Sequence, residues 1–310
     1  MISRRSIRIK VLQALYSQII VQKSDSKEAI AVYDKSIKEV LEVNLCYLHY
    51  AMEIISYVKE YDKQQQEKFL ISDAERSIDK SILNSKFYIY FSNNELFQKN
   101  IKKYKIENYI QSEFVRPMFF DLIKLREYKE YTLAPNGMNE YNLLNTFFKK
   151  ILFKNEELIA YLESYYANVE EDADLVHFSL KRSIKTILED KPFYTSLGFD
   201  EMKNLEDFAY NLIKVTLSHQ DEYTKLIEPK LIGWDADRIP VLDMTILKMA
   251  MSEMLHFPTI PLKVTVNEYI DLSKIFCSVK SKDFVNGVMD RLMKEFQSQG
   301  KILKTGRGLD

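Results

Sequence analysis

The stretch Ile260-Pro261-Leu262-Lys263-Val264-Thr265-Val266-Asn267-Glu268-Tyr269-Ile270-Asp271-Leu272-Ser273-Lys274 carries the pattern that decides the fold. Proline suits a helix start, where its missing N–H and fixed φ do no harm. The residues behind it alternate apolar and polar with helical spacing. A short loop follows, and then Phe284-Val285-Asn286-Gly287-Val288-Met289-Asp290 opens a second helix on an aromatic beside an Asn-Gly pair. Working outward, every long segment reads the same way. The chain has seven glycines and seven prolines in 310 residues. A sheet protein of this length would need many Gly-containing turns, so the scarcity of turn residues argues for long helices. The fold class is all-α.

The first helix covers about residues 3–22, with Ile7, Val11, Ala14, Leu15 and Ile19 as its buried stripe. Arg4, Arg5 and Arg8 cluster on the side read as exposed. Cations at a helix start oppose the macrodipole, at about a few tenths of a kcal/mol each. Three of them there point to a use other than helix stability. Ser24-Asp25-Ser26-Lys27-Glu28 signals the next helix start, and one or two long helices follow to Tyr61. Phe87-Tyr88-Ile89-Tyr90-Phe91 reads either as a strand or as an aromatic turn between helices. Further helices are expected over about 105–130, 140–168 and 173–190, then 203–217, 219–232, 239–256, 262–276 and 282–298, with Ser281 as cap of the last.

Together, the start Arg4-Arg5-Ser6-Ile7-Arg8-Ile9-Lys10-Val11-Leu12-Gln13-Ala14-Leu15-Tyr16-Ser17, the Asn267-Glu268 pair and Phe284-Val285-Asn286-Gly287 resemble the NusB family of bacterial transcription antitermination factors. The resemblance covers about 125 residues in two blocks. It implies a NusB-like helical bundle made from residues 1–24 and 196–300, with a large helical insertion over 25–195 after the first helix and a basic tail over 301–310. Members of that family are about half this length, and roughly 170 residues intervene here. Part of the middle is an alternative source of a core helix.

The same resemblance implies the function: a non-catalytic factor that binds boxA-type single-stranded RNA of the nascent transcript. It would act with NusE, a small-subunit ribosomal protein, near RNA polymerase, in support of ribosomal RNA transcription. Arg4, Arg5, Arg8 and Lys10 are the first RNA candidates, since arginine forks onto phosphates and stacks on unpaired bases. Lys280, Lys282, Phe284 and Asn286 gather at the start of the last helix. Phe284 either staples to the preceding helix or stacks on a base, and the family analogy favours a partly exposed RNA contact. Tyr16 and Asp243 match the positions that face NusE. Asn267 and Glu268 read as hydrogen-bonding residues that tie their helix to a neighbour rather than as an acid–base pair. The Lys99 to Lys105 run, with Tyr104 inside it, reads as a solvated face that could also extend an RNA track.

Charge and motif content narrow the remaining classes. Net charge is −1, so only its distribution points to a nucleic acid: residues 1–24 hold five Arg or Lys and no acid. Cys46 and Cys277 form neither a disulfide framework nor a metal set, as expected of a cytoplasmic protein. His49, His177, His219 and His256 lack metal-ligand spacing, and no phosphate-loop, dinucleotide or nucleophile-elbow motif occurs. No catalytic residue, cofactor or metal is therefore expected, and no apolar run reaches the roughly 18 residues of a membrane span. Trp234 after Gly233 reads as packing. Two rival functions stand beside the first. One is a helical interaction scaffold that has lost RNA binding. The other is an RNA-modifying enzyme subunit, weakened by the missing Gly-rich loop.

Overall fold

The structure, a computed structural model, describes residues 3–21, 25–66, 79–189, 199–231 and 239–309, with backbone only at 199–204, 279, 280 and 307. Among the described residues the secondary structure is helical, with no strand. In chain order the α-helices are α1 (Arg4–Ile20), α2 (Ser26–Gln66), α3 (Lys86–Asn93), α4 (Glu95–Lys103), α5 (Ser112–Lys124), α6 (Arg126–Leu133), α7 (Gly137–Phe147), α8 (Glu156–Glu163) and α9 (Ala173–Leu188). They continue with α10 (Phe199–Ser218), α11 (Gln220–Ile227), α12 (Val241–His256), α13 (Leu262–Phe276) and α14 (Val279–Ser298). The all-α reading holds.

The chain forms two compact units, one of Ile37–Asp200 and one of Ser3–Ser36 with Glu201–Asp310. Residues 25–36, the first turns of α2, therefore group with α1 and the last five helices. The sequence pattern assigns them to the insertion, while leaving open that the middle supplies a core helix.

In the terminal unit α12 packs against α1, α11, α13 and α14. Its sequence explains that central position. Ile246, Leu247, Met249, Ala250, Met251 and Met254 are buried all round the helix, as a core helix requires. α1 contributes Ile7, Val11, Ala14 and Leu15, and α14 contributes Val285, Val288, Met289, Leu292 and Phe296 at three- and four-residue steps. Burying one such side chain contributes about 1.5–3 kcal/mol. Ser3 caps α1 by accepting from the Ser6 N–H at 3.1 Å. Ser278, not Ser281, caps α14, accepting from the Ser281 N–H at 3.2 Å.

In the other unit α2 supplies the spine, with Leu45, Cys46, Tyr47, Tyr50, Ala51, Ile54 and Ile55 fully buried. The aromatic run at 87–91 is neither strand nor turn. It is helix α3, capped by Ser85, with Phe87 and Phe91 one turn apart, buried, and in ring contact at 4.9 Å. The Glu140 carboxylate accepts from the Phe87 N–H at 2.9 Å and so satisfies a free donor of the first turn. The segment read as 105–130 divides into α5 and α6, and that read as 140–168 into α7, a π-helical turn at Phe148–Leu152, and α8. Trp234 lies outside the described residues.

Candidate nucleic-acid interface

The basic start of α1 separates into three different environments. Arg4 is exposed, and its guanidinium lies over the Phe208 ring of α10, 5.8 Å from the centroid. Arg5 is half-exposed and tied to α13, bonded to the Asp271 carboxylate and 3.6 Å from Glu268. Lys274 holds the same Asp271 at 2.6 Å. The hydrogen bond from Lys274, and then the one from Arg5, keep the Asp271 carboxyl below its ordinary pKa.

Arg8 departs from the expectation altogether. It is 2% exposed, not on an open face. Its Nη2 and Nε donate to the two Glu253 oxygens at 2.7 and 2.8 Å, and Nη1 reaches Glu268 at 3.4 Å. Glu253 also accepts from the Thr265 hydroxyl at 2.9 Å and the Tyr269 hydroxyl at 3.2 Å. The Phe208 and Tyr269 rings sit 5.4 and 5.9 Å from the guanidinium carbon. Burial works against the Arg8 charge, but the Glu253 hydrogen bonds and the charges of Glu253 and Glu268 outweigh it, so its pKa rises. Burial and the Glu253 charge likewise drive the Tyr269 phenol well up. Lys304, from the tail, donates to the Glu253 and Phe257 carbonyls at 3.4 and 3.0 Å, satisfying the end of α12.

The physical reason for the correction is packing, since Arg4 and Arg8, four residues apart, lie on the same helix face. Arg8 sits one turn further into the helix, where Glu253 and the Phe208 and Tyr269 rings enclose it. A cation there is retained only because a carboxylate meets it. Glu253 was missed by sequence reasoning. The available signal was a lone acid inside the apolar run Met249-Ala250-Met251-Ser252-Glu253-Met254. Glu268, read as a residue tying its helix to a neighbour, does so through Arg5 and Arg8. Lys10 is buried as well.

The start of α14 presents less than expected. Phe284 is buried, so the staple reading describes it better than the partly exposed one. Asn286 is exposed, Lys282 is half-buried, and the Lys280 side chain lies outside the described residues. Tyr16 is 38% exposed on α1, whereas Asp243, in the first turn of α12, is only 2% exposed. Asp243 takes a hydrogen bond from the Cys277 thiol, whose pKa burial first, and then Asp243, pushes up to about 12. Asp243 is thus a buried tie between α12 and the end of α13, not an open charge.

Among the described residues no group of three or more His, Cys, Asp or Glu is placed to hold a metal ion. No described helix is long and apolar enough to cross a membrane. The geometry defines an all-α bundle whose N-terminal helix offers one free arginine, one exchangeable arginine and one structural arginine.

Comparison with known proteins agrees. The NusB family profile matches residues 168–294. Transcription antitermination protein NusB of Salinibacter ruber is 33% identical over 148 residues, which is 48% of this chain and 85% of that protein. The protein of the same name from Halalkalibacterium halodurans is 31% identical over 128 residues, 41% of this chain and 87% of its own length. The one from Chloroherpeton thalassium is 32% identical over 104 residues, 34% of this chain and 49% of its own. The chain belongs to the NusB family.

Proposed function

We propose that this chain is a non-catalytic transcription antitermination factor. In this reading it binds boxA-type single-stranded RNA with NusE in the cytoplasm, within the RNA polymerase antitermination complex that serves ribosomal RNA operons. The observation that carries it is the exposed Arg4 guanidinium over Phe208, with Arg5 beside it in a partly open ion pair. Exposed arginine can pair with phosphate or stack on an unpaired base, and the relatives carry antitermination in their names. Arg4 and Arg5 are the residues assigned to RNA, supported by Asn286 and Lys282. Arg8 and Lys10, being buried, would act by shaping the helix rather than by touching RNA. Tyr16 is the exposed residue assigned to NusE, with Asp243 holding α12 beneath that role.

One observation favours a second reading, a helical interaction scaffold without RNA binding. Of the three arginines at the start of α1, two are already engaged by carboxylates. Fluorescence anisotropy with boxA RNA, with and without NusE, decides between them. RNA binding that NusE strengthens supports the antitermination reading; NusE binding with no RNA affinity supports the scaffold.

A further inference from the structure

Residues 109–166 lie within the unit formed by Ile37–Asp200 and ahead of the stretch that the family profile matches. They bring a set of tyrosines to one surface. The Tyr165 ring meets Tyr109 at 5.0 Å and Tyr161 at 5.4 Å, and Tyr161 meets Phe114 at 5.6 Å. These contacts are edge-on or tilted, as aromatic pairs prefer. Gln111, just ahead of α5, fixes the arrangement. Its side-chain amide donates to the Tyr161 hydroxyl at 2.9 Å, and its backbone N–H to the Tyr50 hydroxyl at 3.1 Å. Tyr50 in turn donates to the Tyr109 carbonyl at 2.8 Å. Tyr165 nevertheless stands 54% exposed, with Tyr109 and Tyr161 half-buried beside it.

The charge around these rings is acidic. From Asn155 to Val176 the chain holds seven acids and no Lys or Arg. Helix dipoles account for Glu113, Glu156 and Glu157, each in the first turn of α5 or α8. They do not account for Glu163, the last residue of α8, where a negative charge opposes the dipole. The turn after it, closed by the Tyr165 and Tyr166 N–H groups on the Leu162 carbonyl at 3.0 and 2.9 Å, keeps Glu163 between the tyrosines. The Glu170 N–H donates to the Glu163 carboxylate at 3.3 Å and brings a second acid to the same place. Glu113, Glu163 and Glu170 are exposed, and among the described residues none of them forms an ion pair. Arg116, the next cation on α5, lies over the Phe120 ring instead.

We propose that this face binds an extended, arginine-rich peptide segment of a protein partner, whose guanidinium groups stack on Tyr165 and its neighbours and pair with Glu113 and Glu163. Arginine is the side chain that meets both features, with a flat face for a ring and a fork for a carboxylate. Single-stranded RNA has stacking faces, but the acids repel its phosphates. A neutral proline-rich segment would use the rings and leave the acids idle. The tyrosines are already held by one another and by Gln111, so binding costs little side-chain freedom. This inference is independent of the RNA-binding reading above and uses none of its residues.

The probe is a labelled peptide of about nine residues with arginine at alternate positions, titrated onto the full chain and followed by fluorescence anisotropy. The same peptide with lysine at those positions is titrated in parallel. The arginine peptide is expected to bind more tightly than the lysine peptide. Tyr165→Ala is expected to weaken the arginine peptide about fivefold and to shrink its advantage over lysine. Glu113→Gln with Glu163→Gln is expected to weaken both peptides and to reduce the salt dependence of binding. All three positions are exposed, so the thermal midpoint should stay near the wild-type value and certifies the fold. Absence of arginine-peptide binding by the wild type overturns the inference. So does equal binding of the two peptides with a silent Tyr165→Ala, the result expected of a general acidic surface. A dimer in sedimentation that Tyr165→Ala dissolves gives the face to a second copy of the chain, and loss of boxA affinity in that variant gives it to RNA; either result overturns the inference.

Discussion

Arg8 and Glu253 form a buried, two-pronged ion pair, with contacts of 2.7 and 2.8 Å, between the first helix and the central helix of the terminal unit. The carboxylate is fully shielded and the guanidinium nearly so. Thr265 and Tyr269 occupy the remaining acceptor capacity of Glu253. A residue with the sequence signature of an RNA contact is thereby part of the core.

Removing one partner leaves the other charged and unpaired in a dry site. Arg8→Ala or Glu253→Ala is expected to destabilise the unit by about 3–5 kcal/mol, read as a shift in the urea midpoint at constant slope. The double change Arg8→Met with Glu253→Met should recover much of that loss, because a well-packed apolar pair can replace a buried ion pair. If Arg8→Ala melts like the wild type, the pair is not formed in solution.

Arg5 behaves differently, since its ion pair with Asp271 is partly open. Asp271→Asn should change stability by no more than about 1 kcal/mol, as for an exposed pair. It should raise affinity for boxA RNA by freeing the guanidinium, whereas Arg4→Ala and Arg5→Ala each lower it and flatten the salt slope by about 0.7. Loss of affinity in Asp271→Asn would place that carboxylate, not the arginine, in the RNA contact.

Stability should fall as pH drops from about 7.5 to about 5.5. His49, His177 and His256 all have folded pKa values below their ordinary 6.5, each chiefly because burial penalises the cation. The neighbouring His219 adds to the effect at His256, the two rings lying 4.9 Å apart. Below 6.5 the unfolded chain takes up protons that the folded one refuses, so the contribution is complete above that value and is lost on acidification. Thermal midpoints across this range should converge with those of His256→Asn at the acid end. A pH dependence unchanged in that variant assigns the effect elsewhere.

Tyr16 and Asp243 should separate partner binding from folding. Tyr16→Ala removes a partly exposed side chain and should leave urea stability within about 1 kcal/mol of wild type, while weakening NusE capture by about 2 kcal/mol if the ring is an anchor. Asp243→Lys should instead unfold the unit, since it buries an unpaired cation against the Cys277 thiol. Asp243→Asn should speed alkylation of Cys277, because the carboxylate helps hold the thiol protonated. Equal NusE capture by wild type and Tyr16→Ala would move the interface away from α1.

The helical class, the positions of the terminal helices and the family are all legible in the order of the amino acids. Those features rest on local periodicity, helix-start chemistry and short motifs, all carried by neighbouring residues. Ile7, Val11 and Leu15, or Val285, Val288 and Leu292, are legible because burial repeats with the helix. Which cations face water is settled only by packing. Arg4, Arg5 and Arg8 belong to the same short basic motif, and what separates them is Glu253, Glu268 and Asp271, some 245 to 266 residues away. The aromatic run at Phe87 became a helix because Phe91 could pack one turn on and Glu140 could cap its start. The Phe153 and His177 rings meet only after α7 and α9 have packed together. Whether a charge is paired or free depends on partners distant in sequence, so local pattern identifies charged residues but not their surroundings.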